Sequence, residues 1–295
     1  MINQHPPAWG SFSVSCLISQ TWRFAQIQTF KVSHLNLRDD QSASSCLGKF
    51  LSLLPHLTDV EIRSSSLHDE FYKEIADRAS SSQIHKFQGH DLNLRNNQSA
   101  SSCMGKFLSL LPHLTDLEIR YCSLHGDFYK EIADRASSCQ IQKFKLVYNC
   151  NLHAHQSESS CMGKFLSLLP HLIDLEISSC EFHDDFYKEI ADRASSCQIQ
   201  TVNLNFTSRN FLELKVLSDS ASKQLAKFII SLPCLTTLEN NMNKSSCFTF
   251  FTELDSLAAS SKSPYFREKR TRSPDCEQTG NPDCKPTCCL NCKQM

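Results

Sequence analysis

CLGKFLSLLPHLTDVEI at residues 46–62, CMGKFLSLLPHLTDLEI at 103–119 and CMGKFLSLLPHLIDLEI at 161–177 are copies of one stretch, set 57 and 58 residues apart. A second run, FYKEIADRAS, begins at Phe71, Phe128 and Phe186 and keeps the same steps. A diverged fourth copy of the first run, QLAKFIISLPCLTTLE, starts at Gln224. Self-similarity at a fixed period marks a chain of stacked units and governs the reading of every single residue in it. Each long unit holds two similar halves. Leu114, Leu117, Ile119, Cys122 and Leu124 spell the frame L-x-x-L-x-L-x-x-C-x-L, and 27 residues on Ile141, Phe144, Leu146 and Asn149 spell it again with Asn in the Cys place. The frame recurs from Ile27, Leu57, Ile84, Leu114, Ile141, Leu172, Ile199 and Leu235, eight times in phase.

Elementary geometry turns the frame into structure. L-x-L puts two side chains on one face of a strand, because the strand period is two. In the following HDDFYKEIADRAS, Phe186, Ile190 and Ala194 fall at i, i+4 and i+8 on one face of a helix. Asp184 and Asp185 at its start and Arg193 at its end suit the helix dipole. The other helix, SESSCMGKFLSLLP, is expected to bury Cys161, Phe165 and Leu168 or Leu169, with Pro170 stopping it. One strand and one helix cannot bury an apolar face alone, so stacking of the units supplies the core. The expected fold is α/β: about eight strand–helix units with a parallel sheet on the concave side and helices on the convex side.

These frames resemble the leucine-rich repeat, whose units line a horseshoe. Their alternating long and short lengths look like the ribonuclease-inhibitor subtype. The phrases KFLSLLPHLTDLEI and FYKEIADRASS are similar to the repeat arrays of NACHT–leucine-rich-repeat (NOD-like) intracellular receptors. In that family the horseshoe senses ligands or partners and restrains a nucleotide-switched oligomerisation domain that signals in innate immunity. The resemblance covers the sensor alone; no Walker motif is present, so nucleotide would enter only through a NACHT domain upstream. The division it suggests is an irregular segment at 1–20, the array at 21–243, a capping helix at 244–261 and a disordered Cys-rich tail at 262–295. In the capping helix Phe248, Phe251, Leu254 and Leu257 form the apolar stripe.

Composition narrows the function. Thirty basic and thirty-one acidic residues leave a net charge of −1, without the basic excess of a nucleic-acid binder. Seven glycines leave little room for phosphate loops, and Gly48-Lys49 and Gly105-Lys106 lack the rest of that motif. No apolar run is long enough for a membrane span, and the N-terminus has no basic leader, which points to the reducing cytoplasm. Seven of the sixteen cysteines occupy repeat positions: Cys46, Cys103 and Cys161 inward on helices, Cys122 and Cys180 at the turn of the frame, Cys139 and Cys197 before strands. His56, His113, His171, His68, His125 and His183 likewise recur with the units, whereas a catalytic residue is needed once. Cys289-x-x-Cys292, with Cys284 and Cys288 beside it, has metal-ligand spacing, but no second such pair and no histidine accompany it. The expectation is a non-enzymatic protein-interaction module without a cofactor. A stand-alone repeat inhibitor and a ubiquitin-ligase substrate adaptor are the alternatives.

The concave face is the expected docking surface. Across the eight frames the third position reads Thr29, Asp59, Lys86, Asp116, Lys143, Asp174, Thr201, Thr237, and the fifth reads Lys31, Glu61, Gln88, Glu118, Lys145, Glu176, Asn203, Glu239. Acid and base alternate from strand to strand, which predicts a largely self-cancelling ladder of cross-strand pairs. Arg63, Arg120, Tyr121 and Tyr148 follow at the seventh and eighth positions, and Arg and Tyr are common interface anchors. The protein-contact patch is therefore placed on Arg63, Lys86, Glu118, Arg120, Tyr121, Lys145 and Tyr148.

Overall fold

A computed structural model describes residues 26–147, 152, 155–205, 217–240 and 248–260. The frames become strands β1 (Thr29–Ser33), β2 (Asp59–Arg63), β3 (Lys86–His90), β4 (Asp116–Arg120), β5 (Lys143–Val147), β6 (Asp174–Ser178), β7 (Thr201–Asn205) and β8 (Thr237–Asn240). Each begins at the third residue of its frame. All eight lie in one parallel sheet in sequence order. Pairing is in register, so Thr29, Asp59, Lys86, Asp116, Lys143, Asp174, Thr201 and Thr237 form one row across the sheet. Parallel neighbours need a crossover, which the helices supply: α1 (Gln41–Ser52), α2 (Asp69–Asp77), α3 (Gln98–Leu110), α4 (Gly126–Asp134), α5 (Gln156–Leu168), α6 (Asp184–Arg193), α7 (Asp219–Ser231) and α8 (Phe248–Ser260). Successive helices pack side by side in the same order as the strands, giving a repeat solenoid of two layers.

The core lies between the layers. Frame positions four and six point into it, as Val60 and Ile62, Leu117 and Ile119, Phe144 and Leu146, and Leu175 and Ile177. From the helices come Phe186, Ile190 and Ala194 as the periodicity requires, Ala194 in a short 3-10 turn beyond α6. Each of α2, α4 and α6 also buries a Phe–Tyr pair in edge-to-face contact, with centroids 5.2, 5.3 and 5.1 Å apart. Burying one such aromatic or aliphatic side chain stabilises the fold by about 1.5–3 kcal/mol.

The helix starts are built by repeated polar side chains. Asp40, Asn97 and Ser218 accept the backbone N–H of Ala43, Ala100 and Ala221, while His155 stands in the same place without a side-chain cap bond. His68, His125 and His183 cap α2, α4 and α6: Nδ1 accepts the N–H of Glu70, Asp127 and Asp185. Their recurrence thus has a structural cause. A buried serine joins the two parts of each long unit. Ser44, Ser101 and Ser159 donate to the carbonyls of Leu37, Leu94 and Leu152 and accept the N–H of His68, His125 and His183.

This serine sets the phase of the helix and corrects two expectations. Cys46, Cys103 and Cys161 are equivalent but not fully inward: Cys46 is exposed, and the other two are half-buried, packed against the edge of the core. The inward stripe runs one residue later, through Ser101, Met104, Gly105 and Leu108 in α3. Similarly, α8 buries Phe250, Leu254 and Ala258, whereas Phe248 is exposed and Phe251 and Leu257 are partly buried. The glycines on that stripe permit a close helix contact. A Cβ on Gly48, Gly105 or Gly163 would stand 2.8, 2.8 or 2.6 Å from the carbonyl oxygen of Phe71, Phe128 or Phe186 on the next helix.

The remaining repeat cysteines behave as small core residues. Cys122 and Cys180 turn their thiols onto backbone carbonyls, Arg120 at 3.2 Å and Ser178 at 3.3 Å. Burial pushes the Cys122 thiol up to about 12, and those of Cys139 and Cys197 up to about 11. Every cysteine among the described residues is a free thiol. Cys284, Cys288, Cys289 and Cys292 lie outside the described residues.

Candidate functional site

The sheet face turned away from the helices carries frame positions three, five and seven. Leaving each strand, the chain takes a left-handed turn at the eighth position: His34, Ser64, Asp91, Tyr121 and Ser179 have φ of 57, 43, 52, 54 and 51°. The turn lets that residue's N–H reach one strand further, as Ser64 does to the His90 carbonyl at 2.8 Å and Tyr121 to the Val147 carbonyl at 2.8 Å. No glycine relieves it. A tyrosine held there at a cost of about 1–2 kcal/mol puts its ring at the rim of the face, where Tyr121 is exposed.

The expected ladder of cross-strand ion pairs exists in one row only. In the fifth row Lys31 pairs with Glu61 at 3.0 Å and Lys145 with Glu176 at 2.5 Å. Gln88 donates to Glu118 at 2.7 Å and Asn203 to Glu239 at 3.0 Å. In the third row Asp59, Lys86, Asp116, Lys143 and Asp174 form no ion pair among the described residues. The shorter aspartate arms leave that row unbridged. The sequence rows did not show two further pairs, which run along a strand: Arg63 Nε with Glu61, and Arg120 Nε with Glu118. Residues two apart share a face, and the arginine folds back over its own glutamate.

The described residues of the patch nominated from sequence lie on neighbouring strands of one face. Arg63, Glu118 and Arg120 come together on β2–β4, with Tyr121 at the rim and Lys86 on the same face in the third row. Lys145 pairs in register with Glu118 on the neighbouring strand, and both line a depression of about 300 Å3 together with Asp116, Lys143, Asp174 and Glu176. Tyr148 lies outside the described residues. The Glu118 side chain is largely buried, accepts a hydrogen bond from Gln88 and forms an ion pair with Arg120. Glu61 pairs in the same way with Arg63. Burial alone would raise its carboxyl, but hydrogen bonds and charge from Lys31 and Arg63 outweigh that and hold it below the usual carboxylate value.

His90 was missed in the sequence and sits at the centre of the cluster. It pairs in register with Arg63 on one side and Arg120 on the other. Its Nε2 is buried, 4.0 Å from Glu118 Oε1. Burial, with the two guanidinium charges, lowers its basicity below the ordinary histidine value despite Glu61 and Asp91. Reading the seventh row across the frames (Ser33, Arg63, His90, Arg120) would have found it.

Among the described residues no group of His, Cys, Asp or Glu side chains is arranged to hold a metal ion. None of the described helices is long and apolar enough to cross a membrane. No known family model and no curated protein matches this chain closely enough to count as a relative.

Proposed function

We propose that the chain is a leucine-rich-repeat interaction module that binds a protein on its open sheet face, in the manner of the sensor region of a NOD-like receptor in the cytoplasm. One observation carries the reading. Two arginines and a rim tyrosine stand on the face, each arginine ion-paired with a buried carboxylate of its own strand. Prefixed side chains lose little freedom on binding, which favours Arg and Tyr as interface anchors. The in-phase frames of the sequence support the leucine-rich-repeat assignment, and KFLSLLPHLTDLEI with FYKEIADRASS supports the receptor family.

The test is affinity capture from cytosol with the full chain, comparing wild type with Tyr121→Ala and with Lys49→Ala on the helix face. The reading expects a captured protein that is lost with Tyr121→Ala and retained with Lys49→Ala. The opposite pattern would move binding to the helices and overturn it.

A further inference from the structure

The charge of the open sheet face is unevenly spread along the solenoid. On β1–β4 four carboxylates stand with four cations. On β6–β8 the same face carries Asp174, Glu176 and Glu239 and, among its described residues, no cation; its other positions are Ser, Thr or Asn. The depression of about 300 Å3 opens onto these strands, and its lining holds five carboxylates against two lysines. Both lysines, Lys143 and Lys145, come from β5.

The carboxylates differ in what already holds them. Glu118, at the β4 end, is paired with Arg120. Lys145 reaches Glu176 at 2.5 Å, yet the two side chains stay 30% and 32% exposed. Glu239 is exposed and accepts a hydrogen bond from Asn203 at 3.0 Å. The half-buried Asp174 carboxylate makes no ion pair or hydrogen bond among the described residues. Its neighbours in register are Lys143 on one side and the neutral Thr201 on the other. Asp174 and Glu176 lie two residues apart on one strand, roughly 7 Å. Glu239 lies two strands beyond Glu176, roughly 10 Å. A patch of this size and sign has room for two basic side chains, attracting cations and repelling anions.

Resting on the interaction-module reading above, we propose that β6–β8 form the subsite for a basic protein segment, whose Lys or Arg side chains bind Asp174, Glu176 and Glu239. Charge complementarity selects the occupant: an acidic segment laid on these strands would meet three carboxylates and no cation of their own. Lys145 acts as a competitor within the chain. It holds Glu176 until a guanidinium, which can engage both carboxylate oxygens at once, takes its place.

The probe is a fluorescein-labelled decapeptide of alternating Arg and Ser, titrated by anisotropy against the full chain at low salt. Its Glu–Ser counterpart is the reference. Expected is saturable binding of the basic peptide, weakened about tenfold by Asp174→Asn with Glu239→Gln, since each partly exposed ion pair contributes a few-fold. Both changes keep size and polarity, and circular dichroism reports whether the fold is kept. Lys145→Gln, which releases Glu176, should tighten binding severalfold, an effect that loss of structure would not produce. Asp59→Asn on the balanced half and Asp134→Asn on the helix side should leave it unchanged. Absence of binding to wild type, equal binding by all variants, equal weakening by Asp59→Asn, or equal binding of the acidic peptide would each overturn the subsite. A captured protein partner that needs Tyr121 but tolerates Asp174→Asn with Glu239→Gln would leave the interaction-module reading standing and remove this one.

Discussion

Gly105→Ala tests the packing of the solenoid where sequence and structure meet most tightly. The added methyl would lie 2.8 Å from the Phe128 carbonyl oxygen, 2.9 Å from Glu131 Cβ and 3.2 Å from Phe128 Cα. It is short of van der Waals contact by roughly 0.6 Å, and the nearest obstacle is backbone, so α4 must retreat from α3. Alanine gains about 0.5–1 kcal/mol in helix propensity. Overpacking costs about 1–3 kcal/mol. With backbone on the other side the cost prevails, and a net loss of about 1–2 kcal/mol is expected. Gly126→Ala is the internal control, because its methyl meets only the flexible Glu158 carboxylate. The equivalent positions in α2 and α6 already carry Asp69 and Asp184. Urea denaturation followed by far-ultraviolet circular dichroism should show a lowered midpoint for Gly105→Ala and none for Gly126→Ala. A Gly105→Ala protein as stable as wild type, or an equal loss in both variants, would refute the close-approach argument.

Further outcomes follow from the same structure. Ser101→Ala leaves the part-buried His125 N–H without its acceptor, while the Leu94 carbonyl keeps the Asn97 N–H, and should cost about 1–3 kcal/mol, against almost nothing for the half-buried Ser102→Ala; denaturation midpoints compare them. Alkylation at pH 8 read by mass spectrometry should label the exposed Cys46 and Cys234 well before Cys122, whose thiol burial pushes up to about 12; early labelling of Cys122 would contradict its burial. His90 gives a pH dependence of known sign. Its native imidazole is less basic than an unfolded one, which titrates near about 6.5. As pH falls below that value the unfolded chain takes up a proton that the native state refuses, so stability declines until the native imidazole is protonated. NMR titration should find His90 below the ordinary value, and His90→Gln should flatten the slope; a raised value would reverse the argument.

Much of the fold was readable because the frame is strict. All eight strands start two residues after the frame's first apolar position, and Cys122 and Cys180 take the turn-bonding place assigned to them. The helix phase was less accessible for a physical reason. A serine reads as a surface residue, yet Ser101 is fully buried because it satisfies two backbone groups at once, and turning it inward moves Cys103 to the edge of the core. Periodicity also identifies a face without giving height above it. Glu118 and Arg120 share the open face, and only the structure shows the glutamate buried and ion-paired with the arginine. The glycines of α1 and α3 stood in a motif tested for phosphate binding, whereas their cause is the neighbouring helix backbone.

The central claim, that the open sheet face binds a protein, is tested most directly by site-specific photo-crosslinking. A benzophenone amino acid placed at position 121 on the sheet rim, and separately at position 49 on the helix face, is irradiated in cytosol and the adducts are identified. The account predicts one defined protein adduct from position 121, abolished when Arg63 and Arg120 are replaced by Gln, and none from position 49. An adduct formed from position 49 alone would contradict it.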